Sequence, residues 1–291
     1  MNFVHEDLIT TDPVPLLSKN GIETAVLRLD KIHPVISGNK WFKLRFYIQE
    51  ALQQHKKTIL TFGGAYSNHI AATAAACYAC GLKSIGIIRG EAPARYSHTL
   101  LAAKEHGMQL HFVSREKYRL KEVPEIIEEE YYLVPEGGYG FTGANGAATI
   151  PYQKNRFDII CCAVGTGTML AGLLNGKSPG AAVWGFSVLK GYTTLEEEVK
   201  YLLKPPGTQV KIYHDFHFGG YAKHTPALLD FMNKLYASSN IPTDFVYTGK
   251  LFFGVNQLIE KNIFPANSKV LIIHSGGLQG NQSLRKGTLI F

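Results

Sequence analysis

The sequence has few cysteines, and their spacing does not suit a metal site. There are four, Cys77, Cys80, Cys161 and Cys162. A structural zinc site would need a second pair spaced like Cys77 and Cys80, and the adjacent Cys161 and Cys162 do not supply it. Cys77 and Cys80 lie at the end of a run of small residues that is typical of a tightly packed helix. We therefore expect buried, reduced thiols and a reducing, cytoplasmic location.

The sequence also lacks a hydrophobic run long enough to span a membrane. Its first eight residues include His5, Glu6 and Asp7, so we expect no signal peptide. Charged residues make up 18% of the 291 residues, hydrophobic residues make up 45%, and no long block of one charge occurs. This composition predicts one or two globular domains with a full core and no membrane partner.

Positive charge is in excess but is not concentrated. The chain has 30 Lys and Arg against 23 Asp and Glu, which gives a net charge of +7. The basic residues are scattered, which argues against a nucleic-acid partner. The densest group surrounds a Gly-Asn turn and comprises Lys31, Lys40, Lys43 and Arg45. An anionic small molecule accounts for this local charge at least as well.

Strand-like and helix-like segments alternate along the chain. Apolar runs at 59–62, 84–88, 109–113, 159–164, 182–188 and 270–274 are typical of buried strands. Helical patterns follow Leu44 and Leu195, and another begins at Thr225. The alternation predicts an α/β fold with mostly parallel sheets. Glycine-rich turns at 37–39 and 136–140 predict a large domain of residues 1–41 and 138–291, a small domain of residues 42–137, and an active-site cleft between them.

The segment 37–44, Ser-Gly-Asn-Lys-Trp-Phe-Lys-Leu, places Lys40 at a small turn before an amphipathic helix. A lysine that points from such a turn into a cleft is desolvated, so its pKa falls and it becomes a nucleophilic amine. Lys43 follows one helical turn later and can project to the same side. Spacing alone, however, favours an ordinary exposed lysine at the start of a helix.

The segment 63–69 follows a predicted strand and precedes the helix of small residues. It contains two glycines and then Ser67, Asn68 and His69. Free backbone N–H groups at a helix N-terminus suit a carboxylate or another anion, and Asn68 can donate to a phenolate oxygen. An ordinary helix cap by Ser67 or Asn68 explains the same pattern.

The segment 165–168, Gly-Thr-Gly-Thr, joins a predicted strand to a helical run. Its glycines allow the backbone to close on a phosphate and its hydroxyls add donors, so it predicts a phosphate-binding turn. Residues 138–143 match the pattern G-x-G-x-x-G and would predict a dinucleotide site instead. Pro-Glu at 135–136 precedes those glycines, and Asn-Gly at 145–146 should interrupt the helix that such a site needs.

Two further segments carry hydroxyls at the ends of predicted elements. They are 244–250, Asp-Phe-Val-Tyr-Thr-Gly-Lys, and 274–280, His-Ser-Gly-Gly-Leu-Gln-Gly. Either one alone is typical of an ordinary turn. In this order, the five segments resemble the family of 1-aminocyclopropane-1-carboxylate (ACC) deaminase and D-cysteine desulfhydrase, from about Asp30 to the C-terminus.

This family consists of fold-type-II pyridoxal-5′-phosphate (PLP) enzymes, related in fold to the tryptophan synthase β subunit. The resemblance implies two α/β domains, each a mostly parallel sheet flanked by helices. It implies PLP as cofactor, a small amino acid as substrate, a homodimer and no metal. It implies that PLP is attached to Lys40 and contacted by Lys43, Asn68, Gly165, Thr166, Gly167, Thr168 and Thr248, the last at the pyridine nitrogen. It implies catalytic roles for Lys40, Ser67 and Tyr247, and substrate binding by Ser67, Asn68, His69, Tyr247 and Ser275.

Three positions depart from the pattern of ACC deaminases. Phe42 stands where the family has arginine, Thr248 where ACC deaminases have glutamate, and Ser275 where they have leucine. Hydroxyls at the last two positions resemble the desulfhydrase branch. A carboxylate partner keeps the pyridine nitrogen protonated and the cofactor strongly electron-withdrawing. Opening a cyclopropane that lacks an α-hydrogen needs such a cofactor more than β-elimination does.

The leading hypothesis is therefore β-elimination from D-cysteine to pyruvate, sulfide and ammonia. Lys40 would remove the α-proton as general base, and Tyr247 or Ser67 would assist. One alternative is ACC deamination to 2-oxobutanoate and ammonia, and another is elimination from D-serine or a different β-substituted amino acid. A PLP-binding protein with little catalysis is a further alternative, which Phe42 leaves open. The water that releases ammonia also fits the hydrolase class.

Overall fold

The computed structural model describes residues 3–152, 156–204 and 207–291, whose strands form two separate sheets. The strands are β1 (Thr11–Pro13), β2 (Glu23–Arg28), β3 (Thr58–Gly63), β4 (Lys83–Arg89), β5 (Gln109–Val113), β6 (Tyr132–Val134), β7 (Ile159–Val164), β8 (Ala182–Ser187), β9 (Lys211–Tyr213) and β10 (Lys269–His274). The larger sheet has the order β1-β2-β10-β7-β8-β9, and the smaller sheet has the order β5-β4-β3-β6. Among these strands β1 pairs antiparallel with β2, and every other pair is parallel.

Helices connect the strands and cover the sheets. Over the described residues they are α1 (Asn39–Gln53), α2 (Asn68–Ala79), α3 (His98–Glu105), α4 (Arg115–Arg119), α5 (Phe141–Ala147), α6 (Thr168–Gly176), α7 (Leu195–Tyr201), α8 (Pro226–Ser239) and α9 (Thr248–Glu260). None of these helices combines the length and apolar character needed to cross a bilayer. The predicted α/β class with mostly parallel sheets is confirmed. Each predicted strand is present, and the hydroxyl of Thr225 caps α8 as its Thr-Pro start indicates.

The central strands are buried on both faces and need helices to cover them, which is why strands and helices alternate along the chain. Every residue of β3 and of β7 is buried. A parallel sheet of this kind requires helices on both of its faces. Strands β1 and β9 have three residues each and contain no fully buried residue, so they carry no comparable apolar signal in the sequence.

Helix α1 packs closely against α5 as well as against α2. A Cβ on Gly146 would lie 1.9 Å from the carbonyl oxygen of Phe42, so only glycine allows α5 to approach α1 this closely. The expectation that residues 145–146 interrupt a helix is therefore wrong. Helix α5 runs through them because the contact with α1 outweighs the low helix propensity of Asn-Gly.

The smaller sheet is built from residues 58–134, and the larger sheet from the chain on either side of them. This arrangement is compatible with the predicted excursion into a second domain. Helix α1 contacts both α2, which lies between strands of the smaller sheet, and α5, which leads to β7 of the larger sheet, so the domain boundaries after residues 41 and 137 remain a prediction.

The strands that matter for the site end at the same cavity. Strands β3 and β4 of the smaller sheet end at Gly63 and Arg89, and the neighbouring strands β7 and β10 of the larger sheet end at Val164 and His274. From β7 the chain builds the larger sheet outward through β8 and β9, whereas β2 and β1 lie on the far side of β10. A crevice beyond the carboxyl ends at such a reversal is the usual ligand site of an open α/β sheet.

Candidate active site

A cavity of about 950 Å³ lies where these strands end. It brings together residues from all five predicted segments, although these are far apart in the sequence. Of the predicted site residues, it is lined by Lys40, Lys43, Ser67, Asn68, His69, Gly165, Thr166, Gly167, Tyr247 and Ser275. Thr168 and Thr248 are fully buried and do not line it.

Lys40 is the second residue of α1, and its side chain enters the cavity. The turn before it is possible because Gly38 has φ of +66° and passes so close to Ser275 that a Cβ would lie 1.9 Å from the Ser275 carbonyl oxygen. The Nζ of Lys40 donates to Asn39 Oδ1 at 3.0 Å and lies 5.9 Å from the centre of the Tyr247 ring. Burial lowers the pKa of Lys40 to about 8, although the charge of Asp244 opposes the shift. Lys40 therefore has the properties of a nucleophilic amine and not those of an exposed lysine.

Lys43 lies one turn further along α1 and is 4% exposed. Its Nζ donates to the carbonyl oxygen of Gly137 at 2.9 Å. Burial and the nearby Lys40 hold the pKa of Lys43 well below its usual value. The two amines thus share one wall of the cavity, as their spacing predicts, and the second also fastens α1 to the turn before α5.

The loop after β3 places three predicted residues at the start of α2. Ser67 caps the helix by accepting from the backbone N–H of Ile70 at 3.4 Å, and it also lines the cavity. The helix-cap explanation of this segment is therefore correct for Ser67. The cap does not exclude a role in binding, because Asn68 and His69 begin the helix with their side chains on the cavity wall.

His69 is held by a chain of hydrogen bonds that determines its tautomer. Its Nε2 lies 2.9 Å from Thr61 Oγ1, and the same hydroxyl donates to the carbonyl oxygen of Val134 at 2.7 Å. A hydroxyl has one proton, so Nε2 must be the donor to Thr61. Burial and the charges of Lys40 and Lys43 hold the pKa of His69 well below its usual value, so the ring is neutral. Its Nδ1 is then an acceptor, without a hydrogen-bond partner within the described residues.

The turn after β7 leads directly into α6. Gly167 is in the left-handed region and is the N-cap of this nine-residue helix. The first backbone N–H groups of α6 have no hydrogen-bond partner within the helix, and the helix dipole adds partial positive charge at this end. Thr166 Oγ1 lies on the cavity wall, 3.0 Å from Thr168 Oγ1. This is the arrangement of an anion site, for which Thr168 provides the first helical N–H and not an exposed hydroxyl.

Tyr247 stands at the start of α9, beside a residue that sequence analysis missed. Its ring packs edge to face against Tyr221 with 5.9 Å between ring centres, and both rings line the cavity. Burial raises the pKa of both phenols, so both are protonated at neutral pH. Tyr221 follows Gly-Gly in a stretch without helical or strand periodicity, and this glycine pair was the one signal that could have pointed to it.

Thr248 and Ser275 have different surroundings. Thr248 Oγ1 donates to Asp244 Oδ1 at 2.7 Å and accepts from the backbone N–H of Asp244 at 2.8 Å. The Asp244 carboxylate also accepts from the backbone N–H groups of Val246, Tyr247 and Thr248, which fixes the first turn of α9. The hydroxyl of Thr248 is therefore committed to the fold, whereas Ser275 follows β10 at the cavity wall.

Taken together, the cavity holds a buried amine of lowered pKa, a helix N-terminus suited to an anion, and amide, hydroxyl and phenol groups between them. Such a set can hold an anionic carbonyl compound through a covalent bond to Lys40 and can move protons beside it. Comparison with known proteins agrees with this chemistry. The family model described as pyridoxal-phosphate dependent enzyme matches residues 10–276.

Two relatives and one solved structure show the extent of the similarity. A protein of Arabidopsis thaliana named bifunctional D-cysteine desulfhydrase/1-aminocyclopropane-1-carboxylate deaminase, mitochondrial, is 33% identical. The match covers 90% of this chain and 74% of the relative. A Pyrococcus abyssi protein named putative 1-aminocyclopropane-1-carboxylate deaminase is 30% identical, covering 92% of this chain and 88% of the relative. The crystal structure of an ACC deaminase homologue superposes with a TM-score of 0.81 at 28% identity, covering 94% of this chain and 90% of the other.

Proposed function

The chain belongs to the family of pyridoxal-phosphate-dependent enzymes, and on that premise we propose that it is a deaminating lyase that eliminates sulfide from D-cysteine. The products would be pyruvate, sulfide and ammonia. Both activities named for the Arabidopsis relative fit the cavity, so ACC deamination is the second candidate. The hydrolase class does not describe this reaction, because the Cβ–S bond breaks by elimination and water enters only afterwards.

The residues that line the cavity fit PLP. Lys40 is a desolvated amine without a carboxylate bound to it within the described residues, as covalent attachment of an aldehyde requires. The turn 165–168 with the N-terminus of α6 would hold the phosphate, and Asn68 would face the ring oxygen. Ser275 is better placed than Thr248 to face the ring nitrogen, because the Thr248 hydroxyl is already bonded twice to Asp244. When bound, PLP supplies an electron sink that acidifies the α-hydrogen of an amino acid.

The chain's own residues supply the proton transfers. With a pKa of about 8, the Lys40 amine is a base of suitable strength for an α-proton near neutral pH. Tyr247 and Tyr221 are protonated phenols on the same cavity and can donate to a departing sulfur. The Ser67 hydroxyl and the first N–H groups of α2 can orient the substrate carboxylate.

One observation carries the choice of D-cysteine over ACC. Both candidates for the partner of the ring nitrogen, Ser275 and Thr248, are hydroxyls. The nearby carboxylate of Asp244 is occupied by the hydroxyl of Thr248 and by backbone N–H groups of α9. A neutral partner supports β-elimination more readily than cyclopropane opening.

Phe42 does not weaken the case for an enzyme. Its side chain is fully buried in the core, it does not line the cavity, and the Arg45 guanidinium lies 5.0 Å from its ring centre. The replacement of the family's arginine therefore removes no charge from the cavity. The alternative of a PLP-binding protein with little catalysis loses the observation that suggested it.

The test is to supply D-cysteine and ACC separately to the PLP-saturated protein and to identify the keto acid. We expect pyruvate and sulfide from D-cysteine, and 2-oxobutanoate from ACC would contradict the argument from the ring nitrogen. Lys40→Ala is the control. It should carry no cofactor mass after borohydride reduction, and retention of that mass would overturn the assignment of Lys40.

We also propose that the enzyme is a homodimer in the cytoplasm. The first point rests on the family resemblance, and sedimentation of the purified protein would test it. The second is supported by Cys77, Cys161 and Cys162, which are buried free thiols. Fractionation of the cells that make the protein would test the location.

A further inference from the structure

Arg89 is a cavity residue to which the proposed reaction assigns no role. It is the last residue of β4, on the edge of the smaller sheet where β3 also ends. Its guanidinium lies 5.7 Å from the centre of the Tyr118 ring, and Nη2 lies 3.6 Å from the position that a Cβ on Gly64 would take. Arg89 is exposed, and within the described part of the chain its guanidinium forms no ion pair and donates no hydrogen bond to a protein group. Arg89 thus presents unused donors to the cavity, beside the loop that leads to Ser67.

A second cation lies on the same aromatic ring. The Nζ of Lys121 is 4.1 Å from the centre of the Tyr118 ring and also lines the cavity. Glu136 forms an ion pair with Lys121. This carboxylate balances one of the two cations, so the wall formed by Arg89, Lys121 and Glu136 keeps one positive charge. An anion placed there would be attracted by both cations and would bond to Arg89 in particular.

The other anions expected in the cavity have sites elsewhere. The cofactor phosphate is assigned to the N-terminus of α6, on the larger sheet, and the α-carboxylate of the substrate to the N-terminus of α2. Arg89 lies beside Gly64, at the start of the loop that leads from β3 to the N-terminus of α2. The cavity of about 950 Å³ is near the upper limit of small-molecule sites, roughly 1,000 Å³, and leaves room for a side chain longer than that of cysteine.

We propose that Arg89 is a specificity-determining residue that binds a second anionic group of the substrate. The preferred substrates would then be α-amino acids whose side chain, or β-leaving group, ends in a carboxylate, sulfonate or phosphate. This inference rests on the proposed function: the same β-elimination site would accept D-cysteine and prefer substrates that carry a second anionic group. Arginine suits this task because its planar guanidinium binds such groups through two parallel hydrogen bonds.

The test compares the binding of two unreactive amino acids to the PLP-loaded enzyme by calorimetry. Aspartate and alanine are the probes, each as its D- and L-enantiomer, because they differ by one carboxylate and lack a good leaving group. We expect the enantiomer that binds to show about 10- to 100-fold tighter binding of aspartate than of alanine, the range of a charge-assisted bidentate contact. In Arg89→Met this ratio should fall to about one, and in Arg89→Lys it should be intermediate.

Arg119→Met is the matched control, because Arg119 is an exposed arginine on the adjacent helix α4 that does not line the cavity. Its aspartate-to-alanine ratio should equal that of the unaltered enzyme. A ratio of about one in the unaltered enzyme would overturn the proposal. Equal weakening of both probes by Arg89→Met would also overturn it, because Arg89 would then hold the α-carboxylate. Failure to form pyruvate from D-cysteine, with the ratio intact, would overturn the proposed reaction and leave the acidic-substrate preference standing.

Discussion

Lys250 holds the loop that carries Tyr221 into the cavity, so its replacement should affect catalysis from a distance. Lys250 is the third residue of α9 and is 1% exposed. Its Nζ donates to the carbonyl oxygens of His217 and Gly220 at 2.9 and 2.8 Å. Gly220 immediately precedes Tyr221, whose ring packs against Tyr247. Lys250→Met keeps most of the apolar stem and removes both donors.

The magnitude follows from two opposing effects. Each hydrogen bond from a charged donor contributes about 1.5–3 kcal/mol, so the two bonds together contribute about 3–6 kcal/mol. Burying the ammonium is unfavourable, and burial accordingly lowers the pKa of Lys250 to about 8. Lys250→Met removes this buried charge, and the desolvation cost that it no longer carries offsets part of the lost stability. We therefore expect Lys250→Met to lower the free energy of unfolding by about 2–4 kcal/mol. We expect turnover to fall by about 10- to 100-fold, because a displacement near 1 Å of a positioned group can cost about 100-fold.

Equilibrium unfolding in urea and turnover of Lys250→Met, Tyr221→Phe and the double variant provide the assay. If Lys250 acts through Tyr221, the double variant should be about as slow as the slower single variant. Lys269→Met is the control, since Lys269 is exposed and far from the cavity in β10. Multiplicative effects of the two substitutions on turnover would refute the reasoning. So would a loss of stability without any change in turnover, which would indicate a purely structural role.

Three other predictions concern the cavity itself. Because burial lowers the pKa of Lys40 to about 8, the uncharged amine accumulates as the pH rises through that value. The rate at which PLP loads onto the apoprotein should rise over the same pH range. A midpoint near the ordinary lysine value of about 10.4 would contradict this prediction. Ser275→Ala should shift the absorbance spectrum of the bound cofactor. Thr248→Ala should leave that spectrum unchanged and lower the free energy of unfolding by about 1–3 kcal/mol. The reverse pattern would indicate that Thr248, and not Ser275, is the partner of the ring nitrogen. Thr61→Val should lower the population of the Nε2-protonated tautomer of His69, as measured by imidazole ¹⁵N shifts, whereas Thr61→Ser should preserve it. Unchanged shifts in the valine variant would contradict the hydrogen-bond chain.

The sequence by itself determined the fold class and most of the cavity wall. Glycine turns and hydroxyls followed directly after apolar runs, and the carboxyl ends of parallel strands meet at one edge of a sheet. That rule predicts that the segments at Gly165 and Ser275 meet, because both follow strands of the larger sheet. Ser67 follows a strand of the smaller sheet, so its segment joins them only because the two sheets end at one cavity. The family resemblance predicted roles for these residues from the order of short motifs along the chain, which the sequence alone shows.

Only the tertiary structure decided which side chains in these motifs are available. Thr248 is the first residue of α9, and its hydroxyl is taken by Asp244, four residues earlier in the chain. Whether a hydroxyl at a helix start faces a ligand or closes its own turn depends on the phase of the helix, which composition does not reveal. Tyr221 and Arg89 reach the cavity from a loop and a strand end whose neighbours carry no motif. Arg89 lies beside Gly64 and the Tyr118 ring, and Tyr221 packs against Tyr247, so their placement results from tertiary packing between separate segments, which has no local pattern in the sequence.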